Sequence, residues 1–534
     1  MSIFNEIKIN KPKSNTFNLS HDRKMSMSMG TLTPTLVMDV LPGDKIKLNS
    51  TQMLRFAPMI APVMHRIDVY THFFFVPNRL TWSNWEDFIT GGEDGMDNSV
   101  FPYIKCNEDQ TQPGTLSDYM GIPKLPNTVK GSEVSALPFA AYSLIYNEYY
   151  RDQNLIDKRP YELVDGFQGN TVSEKIQELQ YRAWQHDYFT SALPWTQKGP
   201  EATIPIGGAA PIMNDNDGSS LKLPQFIRDT PISPISPATN SAISSTGDGY
   251  LTAGNPGTTD YATFNLSESH YADLSSATAS SINDLRQAFR LQEWLEKNAR
   301  GGSRYIEVIK SHFGVTSSDA RLQRPEYLGG GKSPVTISEV LQTSESGVAS
   351  SDPTPQGNMA GHGINVGGSN NFSYYSQEHG YIIGIMSILP KTAYYQGIPK
   401  HFKKFDKFDY YFPSFAHLGE QPILTEEIYA QSDTAEDTSV FGYTPRYAEY
   451  KHMLSSVHGQ FRTTLKYWHM ARDFTSKPYL NEQFINADIE ADGLDRIFAV
   501  QGTAENPVEQ IYAHIFHDLK ATRLMPYFGT PKGV

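Results

Sequence analysis

Hydrophobic and polar positions alternate strictly over 65–77, HRIDVYTHFFFVP, with Ile67, Val69, Thr71, Phe73 and Phe75 on one face and Arg66, Asp68, Tyr70, His72 and Phe74 on the other. A period of two is the strand period, so this is the clearest strand of the chain. A second is predicted over 508–521, where Ile511, Ala513, Ile515, His517 and Leu519 share a face, and a third over 381–389, YIIGIMSIL, ended by Pro390. Shorter β-type segments fall at 35–40, 45–56 and 456–466. Helical spacing occupies the gaps. The best helix is 282–300, with Ser281 as cap, a stripe of Leu285, Ala288, Phe289, Leu291, Leu295 and Ala299, and Gly301-Gly302 at its end. Others are predicted from about Ser173 to Phe189 and from Pro138 to about Tyr150. Separated strands whose long connections carry helices describe a mainly β chain, an antiparallel sandwich with insertions, and not βαβ alternation.

Two stretches interrupt this pattern. From Asp229 to Leu285 there is no Lys or Arg, and 19 of the 57 residues are Ser or Thr; 333–390 also lacks a basic residue. Turn formers at that density predict long exposed loops, a surface insertion at 229–285 and a second loop region at 333–380. The competing reading is a disordered linker, against which Tyr250, Tyr261, Phe264, Tyr271, Phe372, Tyr374 and Tyr375 stand as aromatic anchors.

Charge changes the picture in one respect. The 534 residues carry a net charge of -13, which argues against a protein whose whole surface binds nucleic acid. The two base-free windows hold ten acids, so -10 of that charge belongs to them and -3 to the rest. The single cysteine, Cys106, forms no internal disulfide and favours a reducing assembly site, most simply a cytoplasm. No run of 18 apolar residues and no signal-peptide core is present, so no membrane insertion is expected.

Motifs for chemistry mostly fail. GGGKS at 329–333 ends like a phosphate loop, but Glu326 stands where its first glycine belongs, and Pro334 with a β-type VTIS follows where a helix should begin. His514 and His517, like His65 and His72, are spaced to point to opposite faces of a strand, which suits no metal. HExxH, CxxC and GxSxG are missing, so no catalytic residue, metal or cofactor is assigned. One patch suits nucleic acid: Lys400, Lys403, Lys404 and Lys407 interleave with Phe402, Phe405, Phe408, Tyr410, Tyr411 and Phe412. Cations neutralise phosphates while rings stack on unpaired bases. The plainer reading, favoured here, is an aromatic interface whose lysines are solvated and partnered by Asp406 and Asp409. A basic N-terminal arm, 1–24, with Lys8, Lys11, Lys13, Arg23 and Lys24, suits contact with packaged nucleic acid or a flexible end.

Longer strings carry a resemblance. FNLSHDRKMSMSMGTLTPTLVMDVLPGDKIKLNSTQMLRFAPMIAPVMHRIDVYTHFFFVPNRLTWSNWEDFITGG at 17–92 resembles the start of the major capsid protein of the microviruses, small tailless single-stranded DNA phages, and most of all the gokushovirus branch. ARGGSRYIEVIKSHFGVTSSDARLQRPEYLGGGKSPVTISEVLQTS, KFDYYFPSFAHLGEQPI and YAEYKHMLSSVHGQFRTTLKYWHMARDF agree with it. The resemblance implies an eight-stranded antiparallel viral jelly roll, a β-sandwich with long helix- and loop-containing insertions, as one capsid domain over 1–534. It implies a non-enzymatic subunit of a T=1 icosahedral shell in the virion, associating with itself through pentamers, assembled in the host cytoplasm around circular single-stranded DNA. Family partners are a small basic DNA-packaging protein, an internal scaffolding protein and a pilot protein. By position, 229–285 is expected to form the three-fold protrusion, with Tyr250, Tyr261, Phe264 and Tyr271 as candidate contacts to a host receptor or glycan. Lys8, Lys11, Lys13, Lys400, Phe402, Lys403, Lys404, Phe405 and Lys407 are the candidate DNA contacts. The alternative class is a β-sandwich glycan-binding protein or glycoside hydrolase.

Overall fold

The computed structural model describes residues 13–92, 96–125, 132–199, 212–214, 226–228, 243–245, 251–253, 262–264, 270–272, 282–301, 310–311, 323–343, 356–431, 434–500 and 508–528. The chain forms two compact units, Met1–Thr196 with Ala299–Val534, and Gln197–Asn298.

The first unit is built on ten strands: β1 Asn15–Asn18, β2 His21–Met27, β3 Thr33–Val40, β4 Lys45–Phe56, β5 Ile67–Pro77, β6 Glu326–Pro334, β7 Thr336–Leu341, β8 Met359–Tyr375, β9 Gly380–Pro390 and β10 Ile511–Arg523. β10 pairs with β1 and β2 on one side and β4 on the other, and β8 and β7 complete that sheet; the second sheet runs β6-β5-β9-β3, and every pairing is antiparallel. Counting β1 and β2 as one edge strand and β7 as an extension, the chain crosses between the sheets at each step except from β5 to β6. This is the jelly roll of eight antiparallel strands in two facing sheets. Its long insertions fall between β5 and β6, and between β9 and β10.

The alternation in the sequence explains the packing. In β4, Ile46, Leu48, Ser50, Gln52, Leu54 and Phe56 turn inward, and in β10 Ile511, Ala513, Ile515, His517, Leu519 and Ala521 do so. β5 and β9 are buried on both faces. Their inner faces meet β4 and β10, while Phe74, Val76, Ile383 and Ile385 on the outer faces join a cluster with Trp82, Tyr142 and the Leu137–Ile145 helix, whose first turn holds Pro138. That second cover is why 381–389 is nearly all apolar.

A polar seam divides the sandwich interior. One apolar cluster includes Phe56, Val69, Met386 and Ile515, and another includes Leu48, Phe73, Ile382 and Leu519. On each strand the change of cluster falls at Ser50 and Gln52, Thr71, Gly384 or His517. Thr71 Oγ1 and Asn370 Nδ2 donate to Gln52 Oε1 at 2.9 and 3.3 Å, Gln52 Nε2 donates to Asn365 Oδ1 at 3.2 Å, and Asn365 Nδ2 donates to Ser333 Oγ at 3.0 Å. Buried amides bonded to one another fix register at little net cost.

His517 ends this seam, its Nε2 facing the Thr35 carbonyl at 3.0 Å, with the His21 ring 5.2 Å away and Arg23 also acting on it. Burial lowers its pKa to about 4, and burial does the same for His65 and His72. Because the folded values lie below the ordinary 6.5, these rings contribute stability that is complete above that pH and is lost as pH falls toward about 4. Thermal unfolding should therefore shift to lower temperature between pH 6.5 and 5, with a shallower pH slope in His517→Gln. An unchanged slope contradicts this role.

Four expectations are corrected. The helix expected over 173–189 is limited to Asn170–Ile176, because the backbone beyond bonds elsewhere: Gln180 O accepts from Leu32 N, Arg182 N donates to Gly30 O, and Trp184 N to Ile485 O. The segment 456–466 is not a strand; it turns in a 3-10 helix, Gly459–Arg462, with the Leu465 N–H bonded back to Gln460 O. The expected loop region 333–380 holds β7 and β8. Its glycine and asparagine serve close approach and the seam: a Cβ on Gly361 would lie 2.4 Å from the Ala61 carbonyl. Within the expected arm 1–24, β1 and most of β2 are strands paired with β10, held by Leu19, which packs partly buried against the core, and by Phe17 against Tyr527.

In the second unit three short antiparallel ladders are nested: Ile212–Asn214 with His270–Ala272, Phe226–Arg228 with Ala262–Phe264, and Ile243–Ser245 with Leu251–Ala253. The helix Ile282–Gly301 follows, as its spacing predicts.

Candidate assembly surface

The connection from β9 to β10 carries the basic aromatic segment. Residues 400–415 fold as three 3-10 turns, Lys400–Phe402, Lys407–Asp409 and Pro413–Phe415. Asp409 Oδ2 accepts from the backbone N–H of Phe405 at 3.0 Å and of Asp406 at 2.9 Å, and Pro413 starts the last turn with its fixed φ. Asp406 and Asp409 therefore shape the turn, and the expectation that they partner the lysines is corrected.

The partners are glutamates distant in sequence. Lys400 Nζ lies 3.1 Å from Glu427, Lys403 Nζ 2.9 Å from Glu426, and Lys404 Nζ 3.0 Å from Glu449. Glu426 and Glu427 sit on the short helix Thr425–Ile428 and Glu449 in the turn Ala448–Tyr450. Burial raises the Glu427 pKa, opposed by Lys400 and by the N–H of Leu424. The Lys404 ammonium also lies 3.6 Å from the Tyr450 ring centroid. Lys407 makes no ion pair among the described residues and lies 5.3 Å from the Phe408 ring.

With three cations neutralised inside, the rings are left outward. Phe402 is 66% exposed, Phe405 82% and Met453 98%, and Tyr410, Tyr411, Phe412, Leu418 and Tyr450 are about half exposed. The ledge is held firmly: Arg446 Nη2 and the Tyr447 hydroxyl donate to the Phe408 carbonyl at 2.8 and 3.0 Å, with Tyr447 in the left-handed region at φ 65. An apolar patch of this size on a rigid support marks an interaction surface.

Lys8 and Lys11 lie outside the described residues, and Lys13 is exposed just before β1. Tyr250 and Tyr261 are likewise outside; Phe264 and Tyr271 stand on the nested ladders, opposite Phe226 and Met213. Glu426, Glu427, Glu449, Tyr450 and Met453 were not legible as one site, since only the fold brings them to the lysines; the adjacent acids at 426 and 427 were the one local signal. Among the described residues no group of three His, Cys, Asp or Glu converges to hold a metal, and no helix is long and apolar enough to cross a membrane. Cys106 is buried, which pushes its thiol to about 11.

A double-sheet jelly roll with long insertions and a ledge of exposed rings is the architecture of a structural protein that associates through its surface. The chain belongs to the phage capsid protein (F protein) family, whose model matches residues 5–532. It is similar to Capsid protein VP1 of Bdellovibrio phage phiMH2K, with 40% identity over 88% of this chain and 87% of that protein. It is also similar to Capsid protein VP1 of Chlamydia phage 1, 35% identical over 99% of this chain and 97% of the relative, and of Spiroplasma virus 4, 33% identical with the same coverage. It is thus a structural, non-enzymatic capsid protein of the microvirus kind, located in the virion. The glycan-cleaving alternative is set aside.

Proposed function

We propose that this chain is the repeating subunit of a small T=1 icosahedral shell enclosing circular single-stranded DNA. The observation that carries the reading is the ledge: large rings outward, lysines spent on buried glutamates, a surface suited to being covered by another copy. Closed shells need heterologous contacts that repeat around symmetry axes, and interfaces are enriched in aromatic residues. In this reading Phe402 and Phe405 are subunit contacts, and Lys400, Lys403 and Lys404 hold the ledge in place. Lys407 and the N-terminal lysines Lys8, Lys11 and Lys13 remain the DNA-contact candidates.

A body of net charge -3 outside the two acidic windows cannot offset packaged phosphates alone, so a small basic packaging protein or cations complete the balance. Internal scaffolding and pilot proteins are the further partners proposed. The insertion 229–285, within which Ile243–Ser245 pairs with Leu251–Ala253, is proposed as the three-fold protrusion that meets a host receptor or glycan. Purified subunits should associate into pentamers or larger species as concentration rises, and particles should protect circular single-stranded DNA from nuclease. A monodisperse monomer at high concentration, or particles without protected DNA, contradicts the reading.

A further inference from the structure

The outer face of β5 borders a cavity of about 580 Å³ whose lining includes His72, Phe74, Tyr150, Arg182, Trp184 and Tyr327. Its walls are rings in fixed relation. His72 and Tyr150 lie nearly parallel, 29° apart with centroids at 6.0 Å, and Tyr327 stands edge-on to His72 at 5.8 Å. A hydrogen bond of 2.7 Å between His72 Nδ1 and the Tyr150 hydroxyl locks this pair.

Arg182 is the only arginine or lysine of this lining. Its backbone N–H is bonded to the Gly30 carbonyl at 2.8 Å, Nη1 donates to Ser387 Oγ at 2.9 Å, and its guanidinium carbon stands 4.0 Å from the Tyr70 ring centroid. Tyr70 is held in turn by Gln185. Among the described residues no carboxylate pairs with Arg182, and the groups acting on it are the hydroxyls of Tyr150 and Tyr70. The contrast with Lys400, Lys403 and Lys404, each matched to a buried acid, is direct. A half-buried cation without a counter-charge is costly. A guanidinium with N–H groups to spare suits a phosphate, and flat ring walls suit a base.

We propose that this cavity binds one nucleotide, its base against the ring wall and its phosphate on Arg182. Apart from Gln185, the polar groups beside it are carried by rings, those of His72, His186, Trp184 and the three tyrosines Tyr149, Tyr150 and Tyr327, and a wall of rings suits a base better than a sugar. The source is either the enclosed strand, which rests on the DNA-enclosing function proposed above, or a free nucleotide, which does not.

Equilibrium dialysis of purified protein against dAMP, deoxyadenosine and inorganic phosphate tests the site. The expected result is dAMP bound at least tenfold more tightly than either fragment, a loss of that margin in Arg182→Gln, and no change in Lys297→Ala, an exposed lysine of the helix Ile282–Gly301. Equal binding of phosphate and dAMP, or no binding of dAMP, overturns it. Should Arg182→Gln fail to fold, photo-crosslinking of 5-bromo-dUMP to the wild type decides: adducts at Tyr150, Trp184 or Tyr327 support the site and adducts elsewhere overturn it. A short single-stranded oligonucleotide that outcompetes dAMP at equal nucleotide concentration identifies the strand as the source, and equal competition identifies the free nucleotide. Particles that still protect DNA although dAMP does not bind would reject the cavity and leave the shell function standing.

Discussion

Replacing Phe402 and Phe405 together by aspartate should abolish shell formation and leave the subunit folded. Both rings are more than half exposed in the isolated chain, so the substitution removes little intramolecular packing. At a subunit contact each buried aromatic anchor is worth about 2 kcal/mol, and each about 1.4 kcal/mol is tenfold in association. Two anchors replaced by charges therefore lower pairwise association by at least a hundredfold, and a closed shell repeats that loss at every contact. Sedimentation of the variant should show small species with an unchanged thermal midpoint. Normal shells carrying less DNA would instead make the ledge a nucleic-acid surface, the result the neutralised lysines speak against.

Gly330→Ala should cost the sandwich most of its stability. Gly330 lies in β6 opposite His72 of β5, and a Cβ there would sit 2.1 Å from the Thr71 carbonyl oxygen and 3.0 Å from the His72 Cα. Both obstacles are backbone of the central sheet, so relief requires parting β6 from β5. Overpacking of this kind costs about 3 kcal/mol or more. Soluble yield should collapse, whereas Gly368→Ala on β8, with nothing within 4 Å of the added Cβ, should behave as wild type. Equal yields of the two variants would contradict the close-approach role of the GGGKS strand.

That strand also marks where the sequence was hard to read. β4, β5, β9 and β10 were legible because a buried face against a second sheet imposes alternation, and β9 showed its double burial as an unbroken apolar run. β6 and β8 were hidden by glycine and asparagine, which signal turns locally but here admit a neighbouring backbone or bond across the polar seam. The helix expected beyond Ile176 failed for the complementary reason: its periodic side chains found partners, but its backbone was claimed by Gly30, Leu32 and Ile485. The ledge was half legible. Its interleaved lysines and rings were plain, yet the choice between phosphate and glutamate as partner depends on Glu426, Glu427 and Glu449, which only the fold brings near.

The most direct test of the central claim is electron microscopy of the purified protein. Uniform spherical shells of one small diameter are expected. Dispersed monomers, or open sheets and filaments without closure, would contradict the account of this chain as the repeating unit of a closed capsid.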